Sequence, residues 1–285
     1  MPDDSVTERK TPAAEPSQAS AIEDYALIGD CHTAALVAKN GSIDWLCWPR
    51  FDSPACFAAL LGSPGNGRWR IAPADAPTRV TRRYWPGTLI LETLFETASG
   101  SVALIDFMAV EKASVVRIVE GRGGSVPMRF DLCLRFEYGS AVPWVTRLNH
   151  GGGIRAIAGP DQVVLHSDVK LHGKAMTTVA SFTAEAGQRT RFVLSHAASH
   201  LPLPIPPNAD QALDDTEAVW TSWSGRGTYR GSYRTEVQRS LLTLKALSYY
   251  PTGGIVAAPT TSLPEQPGGS RNWDYRFCWL RDATF

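Results

Sequence analysis

Along the middle of the chain, apolar and polar positions alternate in short runs at 88–97, 101–110, 115–120, 128–138, 162–166, 177–183 and 191–195. Turn-forming residues separate them: Ser99-Gly100, the stretch 121–124, the stretch 151–153, Gly159-Pro160 and Gly187. Period-two runs at this spacing predict antiparallel strands, and a succession of them predicts a β-sandwich. The alternation is clearest at 128–136, where Met128, Phe130, Leu132, Leu134 and Phe136 are apolar and Arg129, Asp131 and Arg135 are charged. One face is expected to bury and the other to meet solvent.

Upstream, 34–39 and 42–48 flank Asn40-Gly41, which predicts a two-residue type I′ hairpin turn. Residues 54–61 read as one short helix, ended by Gly62, Pro64, Gly65 and Gly67. Downstream, the proline-rich 201–207 excludes helix and central strand, because proline lacks an amide donor and restricts its predecessor. A domain boundary is placed there. Residues 210–224 predict a connecting helix. Residues 235–249 predict an amphipathic one, with Val237, Leu241, Leu244 and Ser248 on a stripe and Leu247 beside it, stopped by Pro251 and Gly253-Gly254.

Composition narrows the function. Lys+Arg and Asp+Glu both total 28 in 285 residues, so no net field draws in nucleic acid or an anionic membrane. Five cysteines form no C-x-x-C pair and read as reduced packing residues. The first 21 residues read as a disordered polar tail without a signal-peptide core, and no later run is long enough to span a membrane, which points to the cytoplasm. Other chemistries fail on context. The glycines at 62–67 and Gly225-Arg226-Gly227 lack the strand, helix and Lys-Ser/Thr ending of a phosphate loop. His196 and His200 have a helical metal spacing but follow a strand and precede Pro202, and Ser195-His196 lies in no nucleophile elbow. Neither a metal nor another cofactor is expected.

The densest chemistry is Asn272-Trp273-Asp274-Tyr275-Arg276-Phe277-Cys278-Trp279-Leu280-Arg281-Asp282. Aromatic faces stack on the C–H faces of a pyranose, while arginine forks and carboxylates satisfy its hydroxyls. An ion-paired helix start is the competing structural reading. With the run-up from Tyr249 to Glu265, this stretch resembles the entry to the catalytic domain of glycoside hydrolase family 15, the glucoamylase and trehalase-like family. Residues 25–61, including Asp44-Trp45 and Trp48-Pro49-Arg50-Phe51-Asp52, resemble the trehalase-like N-terminal domain. There the Trp and Asp residues either floor a pocket or glue domains together, the commoner use of aromatics.

Patterning and resemblance together give a disordered tail (1–21), an antiparallel β-sandwich domain of trehalase-like N-terminal type (22–200) and a linker with a helix (201–233), and the resemblance implies that 234–285 are the first part of a six-fold α/α barrel. It assigns Trp279, Arg281 and Asp282 to binding the non-reducing glucose. Trp273, Asp274 and Tyr275 become walls or supports, and Arg276 pairs with an acid to orient the loop. The family's general acid and base are glutamates on later barrel loops, so no catalytic residue is expected among Glu265, Asp274 and Asp282, and the chain is expected to stop as the barrel begins. The implied function is the N-terminal portion of an inverting hydrolase acting on trehalose or α-glucans. The implied partner is a small carbohydrate, with self-association left open. The alternative is a non-catalytic carbohydrate-binding or scaffold module.

Overall fold

A computed structural model describes residues 20–149, 152–264, 266 and 269–280. The first strands are β1 (Tyr25–Gly29), β2 (Ala34–Ala38), β3 (Ser42–Cys47), β4 (Ala55–Phe57) and β5 (Arg68–Pro73). Then follow β6 (Arg79–Tyr84), β7 (Leu91–Thr97), β8 (Gly100–Met108), the long β9 (Ser114–Cys133) and β10 (Trp144–Arg147). Next come β11 (Gly153–Ala158), β12 (Asp161–Ser167), β13 (His172–Lys174), β14 (Thr177–Glu185) and β15 (Arg189–Ala198). Helices α1 (Ala209–Ser224) and α2 (Arg234–Ala246) precede two short strands, β16 (Thr261–Pro264) and β17 (Asn272–Asp274). The first fifteen strands hydrogen-bond into one antiparallel network and the last two pair with each other. The protein is mainly β, as its periodicity predicts.

β9 organises this network. Its first half pairs with β8 and β15, and its second half with β14 and β5. The turn expected at 121–124 does not form: the strand runs straight through. Ser101 faces Gly123 and Val102 faces Gly121, leaving Arg122 as a bulged residue at the point where partners change. Gly121 is required there, because a Cβ would collide with the Glu185 carbonyl of the crossing chain. Residues Ser114 to Val119 are buried without alternation, since both faces of this half-strand are covered. Val115 and Val119 enter the main core, while Val116 and Ile118 meet Ala209, Ala212 and Leu213 of α1. In the second half the predicted alternation holds, with Val126, Met128, Phe130 and Leu132 buried.

Inside the main core lies a charge. Arg117 is 0 % exposed and faces Asp106 across the β8–β9 ladder, with Nε to Oδ1 at 2.8 Å and Nη2 to Oδ2 at 3.2 Å. Its remaining donors reach the Trp69 carbonyl at 2.6 Å and the Gly41 carbonyl at 2.8 Å, and the guanidinium lies over the Trp69 ring. Burial pushes the Asp106 carboxyl upward and Arg117 pulls it back. One side chain therefore ties β8 and β9 to β5 and to the β2–β3 hairpin.

That hairpin is present but its turn is different. A type I′ turn needs positive φ at both central residues, and of Asn40 and Gly41 only Gly41 has it, at 79°. Gly41 N donates to Ala38 O at 2.9 Å and Asn40 Oδ1 accepts from Ser42 N, so the loop is three residues ending in a left-handed glycine. The helix expected at 54–61 is corrected to β4 and a 3-10 turn at Ala59–Leu61, because pairing with β3 outweighs local helix preference. The strand expected to reach Tyr138 stops at Cys133.

Residues 201–207 form neither helix nor strand. α1 is capped by Asn208, whose side chain accepts from Asp210 N and Gln211 N, and Asp210 is gripped by Arg189 and Arg191 of β15. α2 ends at Ala246, three residues short of the expected end, and the stripe of Val237, Leu241, Leu244 and Ser248 is not its packing face. Leu242 and Ala246 pack with Cys31, Leu89 and Trp220, while Leu241 and Leu244 are 42 % and 49 % exposed. No described helix is long and apolar enough to cross a membrane.

Arg117→Met should cost about 3–5 kcal/mol in urea unfolding, because Asp106 is then buried without its partner. Arg117→Met with Asp106→Leu should recover much of that loss. Equal instability of the single and double variants would show that the pair itself is not the source.

Candidate functional site

After α2 the chain is sewn onto the β1–β2 and β3–β4 connections. Tyr250 N donates to Cys31 O at 2.8 Å, and Tyr249 N and Val256 N close the Pro251–Gly253 turn onto Gly254 O and Leu247 O. Val256 is buried with Ala34 and Phe51. The next residues meet the aromatic motif: Ala257 N donates to Phe277 O at 3.1 Å and Ala258 N to Tyr275 O at 2.9 Å. The Trp45 indole, fully buried in β3, donates to Pro259 O at 2.7 Å. The Asp44-Trp45 region thus supplies glue.

Arg276 fixes the motif. It is buried, with Nε to Asp274 Oδ1 at 2.9 Å and Nη2 to Asp274 Oδ2 at 2.7 Å, the two-bond fork that suits guanidinium and carboxylate. Nη1 reaches the Ser53 carbonyl at 2.8 Å, the Phe51 carbonyl at 3.3 Å and Cys47 Sγ at 3.4 Å. Burial pushes the Cys47 thiol up to about 12, so the sulfur beside Arg276 is a neutral thiol. Burial works against the Arg276 charge, but the bonds to Asp274 outweigh it and hold the proton more firmly than usual. Beneath the guanidinium lies the Tyr138 ring, 5.6 Å from its carbon. Glu137 and Tyr138 both adopt left-handed φ, at 51° and 59°, which costs non-glycine residues roughly 1–3 kcal/mol each. The turn is braced by Asn66 Nδ2 donating to Tyr138 O, and it delivers the ring to both Arg276 and Trp45.

The described sugar-site candidates are gathered within this docked segment. Tyr275 and Trp279 stack, with centroids 5.5 Å apart and planes at 18°, and the Trp279 indole donates to Asp274 O at 3.4 Å. Trp273 lies on β17 and is 49 % exposed. Asp274 accepts from the Arg276 amide and guanidinium, and pairs as the sequence anticipates for Arg276. Arg281, Asp282 and Glu265 lie outside the described residues. Sequence reasoning did not find Tyr138 or the carbonyls of Phe51 and Ser53. Backbone acceptors have no side-chain signature, and Tyr138 reads locally as the end of a strand. Among the described residues no group of metal-ligating side chains is assembled. His196 Nε2 instead lies 2.9 Å from Asp161 Oδ1, across the β12–β15 ladder.

The chain has known counterparts in sequence and in fold. Residues 8–195 match the trehalase-like N-terminal family, and residues 231–285 match glycosyl hydrolases family 15. The trehalase of Mycolicibacterium smegmatis is 35 % identical over 299 residues, covering 93 % of this chain and 43 % of the relative. That of Thermoplasma acidophilum is 35 % identical over 259 residues, covering 88 % and 44 %. A bacterial glucoamylase solved with acarbose shares the fold with a TM-score of 0.67 at 11 % identity, over 93 % of this chain and 46 % of that one. The chain spans less than half the length of these relatives. The chain belongs to the trehalase-like N-terminal family, whose model spans most of it, and its last residues match glycosyl hydrolases family 15.

Burial works against the ionised Asp274, but the hydrogen bonds from Arg276 outweigh it and carry its pKa below the usual carboxylate range. A depressed carboxyl contributes stability that is fully present above its ordinary pKa, near ~4, and lost as pH falls through the lower folded value. Amide exchange at Ala257 and Ala258, corrected for intrinsic rates, should therefore stay slow from neutral pH down to about pH 4 and quicken below it. In Asp274→Asn it should be fast at neutral pH while β9 amides stay protected. Unchanged protection in the variant would remove the ion pair from the docking.

Proposed function

We propose that this chain is the N-terminal portion of a glycoside hydrolase that releases glucose from trehalose or an α-glucan. The observation that carries the reading is the docking of residues 272–279 onto the β-sheet body through buried Arg276. The identity to trehalases supports it. In this reading residues 22–200 form a β-sandwich, 201–233 a linker with a helix, and 234–285 the first part of a six-fold α/α barrel. The apolar exposed side of α2 is what a helix awaiting barrel neighbours would show. Five free thiols, four of them buried, support a reducing cytoplasmic setting.

Trp279, Arg281 and Asp282 hold the non-reducing glucose. A carboxylate accepts from two neighbouring hydroxyls while the guanidinium donates to the same oxygens, so a misoriented hydroxyl would leave charge unpaired. Trp273 and Tyr275 supply walls, and Asp274 acts through Arg276. The chemistry is inverting: water adds to the anomeric carbon as the glycosidic bond breaks, one carboxylate takes the water's proton and one carboxylic acid protonates the leaving oxygen. That carboxyl pair is assigned to the part of the relatives' length that this chain does not span.

Glucose release from trehalose and maltose tests this. Residues 1–285 alone should give none above background, and a protein of the relatives' full length should turn over. In the latter, Asp282→Asn should lower kcat/KM by roughly ten- to a thousandfold, the scale of one charge-assisted hydrogen bond lost from the transition state. Arg281→Lys should also impair it, because lysine keeps the charge but not the fork. Turnover by residues 1–285 would move the chemistry to carboxylates within this chain, and wild-type kinetics in both variants would remove Arg281 and Asp282 from the site.

A further inference from the structure

A second sugar-compatible surface lies where the two family segments meet. A cavity of about 230 Å³ is lined by Arg50, Phe51 and Asp52 from the N-terminal body and by Tyr249, Val256 and Phe277 from the C-terminal segment. Its volume is that of about eight waters in the liquid, the scale of one monosaccharide ring. Tyr275 and Trp279 do not line it, so it is separate from their stacked pair.

At its rim Arg50 and Asp52 form a fork, Nε to Oδ1 at 2.9 Å and Nη2 to Oδ2 at 3.0 Å, with the Arg50 side chain 55 % and the Asp52 side chain 31 % exposed. An exposed pair of this kind contributes little to stability. Its loop is nevertheless heavily braced. Phe51 N donates to His32 O at 3.1 Å, Ser53 N to Arg50 O at 3.2 Å and Arg50 N to Ser53 Oγ at 3.1 Å, and the Ser53 carbonyl is held by Arg276. Phe51 packs edge-on to Tyr249, and Phe277 presents a half-exposed ring. A rigid guanidinium–carboxylate pair beside aromatic faces is the chemistry that recognises vicinal hydroxyls on a pyranose: Asp52 accepts, Arg50 donates and an aromatic face covers C–H groups.

We infer that the cavity between Arg50–Asp52 and Phe277 is a sugar subsite for the second ring of the substrate, contributed jointly by the N-terminal body and the C-terminal segment. This rests on the hydrolase reading for its use, but not for its existence. Asp52 and Arg50 are binding groups here, with no proton to transfer. Because Arg276 braces both walls, the subsite exists only while the segment is docked.

The test uses the full-length protein with Asp52→Asn and Arg50→Met. Trehalose is compared with α-glucosyl fluoride, which has no second ring. Each variant should lose kcat/KM for trehalose by roughly tenfold to a hundredfold, mostly through KM, and lose much less with the fluoride. Equal losses on both substrates would mark a structural role and overturn the subsite, as would wild-type values on both. Trehalose binding followed by saturation-transfer NMR separates this from the hydrolase reading. Binding weakened in Asp52→Asn, with no glucose released by the wild type, would sink the hydrolase and keep the subsite. Binding absent in the wild type, or equal in wild type and variant, would overturn the subsite.

Discussion

A guanidinium without any exposed surface, at the centre of an apolar core, constrains the whole molecule. Arg117 is tolerable there only because its donors meet Asp106 and the carbonyls of Trp69 and Gly41. A buried charge that loses one such partner is expensive, so the strands supplying them are held to a single relative placement. β9 carries the arginine and changes partners partway along, at the Arg122 bulge, so the strand groups on either side form one body. Gly41 serves the same centre, since its carbonyl also accepts from Ile71 N and a Cβ would strike the Ile71 carbonyl.

Arg276 repeats the device at the functional end. A forked bond to a nearby aspartate neutralises it, and its remaining nitrogen meets backbone carbonyls from a distant part of the chain. The difference is exposure: Asp274 is partly open to solvent, whereas Asp106 and Arg117 are fully buried. The aromatic segment is thereby anchored to the β-sheet body while the Trp273 and Phe277 rings stay half-exposed. Strain in the Glu137-Tyr138 turn is tolerated at the same place, where Tyr138 underlies the guanidinium.

Much of the architecture was legible in the residues. The runs that became β7, β8, β12, β14 and β15 show themselves by period and by the turns between them, because each strand has its own two faces. The helix expected at 210–224 is α1, and the Pro-rich stretch before it could only be irregular. Legibility failed where neighbours decided. The glycines at 121–124 read as a turn, yet strands on both sides carry β9 through them. Residues 55–57 had no strand pattern of their own and were recruited by β3.

For the site, residue types made 272–282 compatible with sugar chemistry, because stacking rings and forked charges are properties of residue types, and the family resemblance decided against an ion-paired helix start. What the sequence could not hold is which of those groups are spent internally. Arg276 and Asp274 look locally like any ligand-facing pair, and only the arrival of the Phe51 and Ser53 carbonyls, more than two hundred residues earlier in the chain, turns them into an anchor. α2 shows the same limit, since Leu241 and Leu244 of its most regular apolar stripe are left exposed while Leu242 and Ala246 pack. Periodicity and residue chemistry are local and so were determined by the sequence itself. Partnership across the chain depends on backbone groups that every residue carries, and only the tertiary structure decided it.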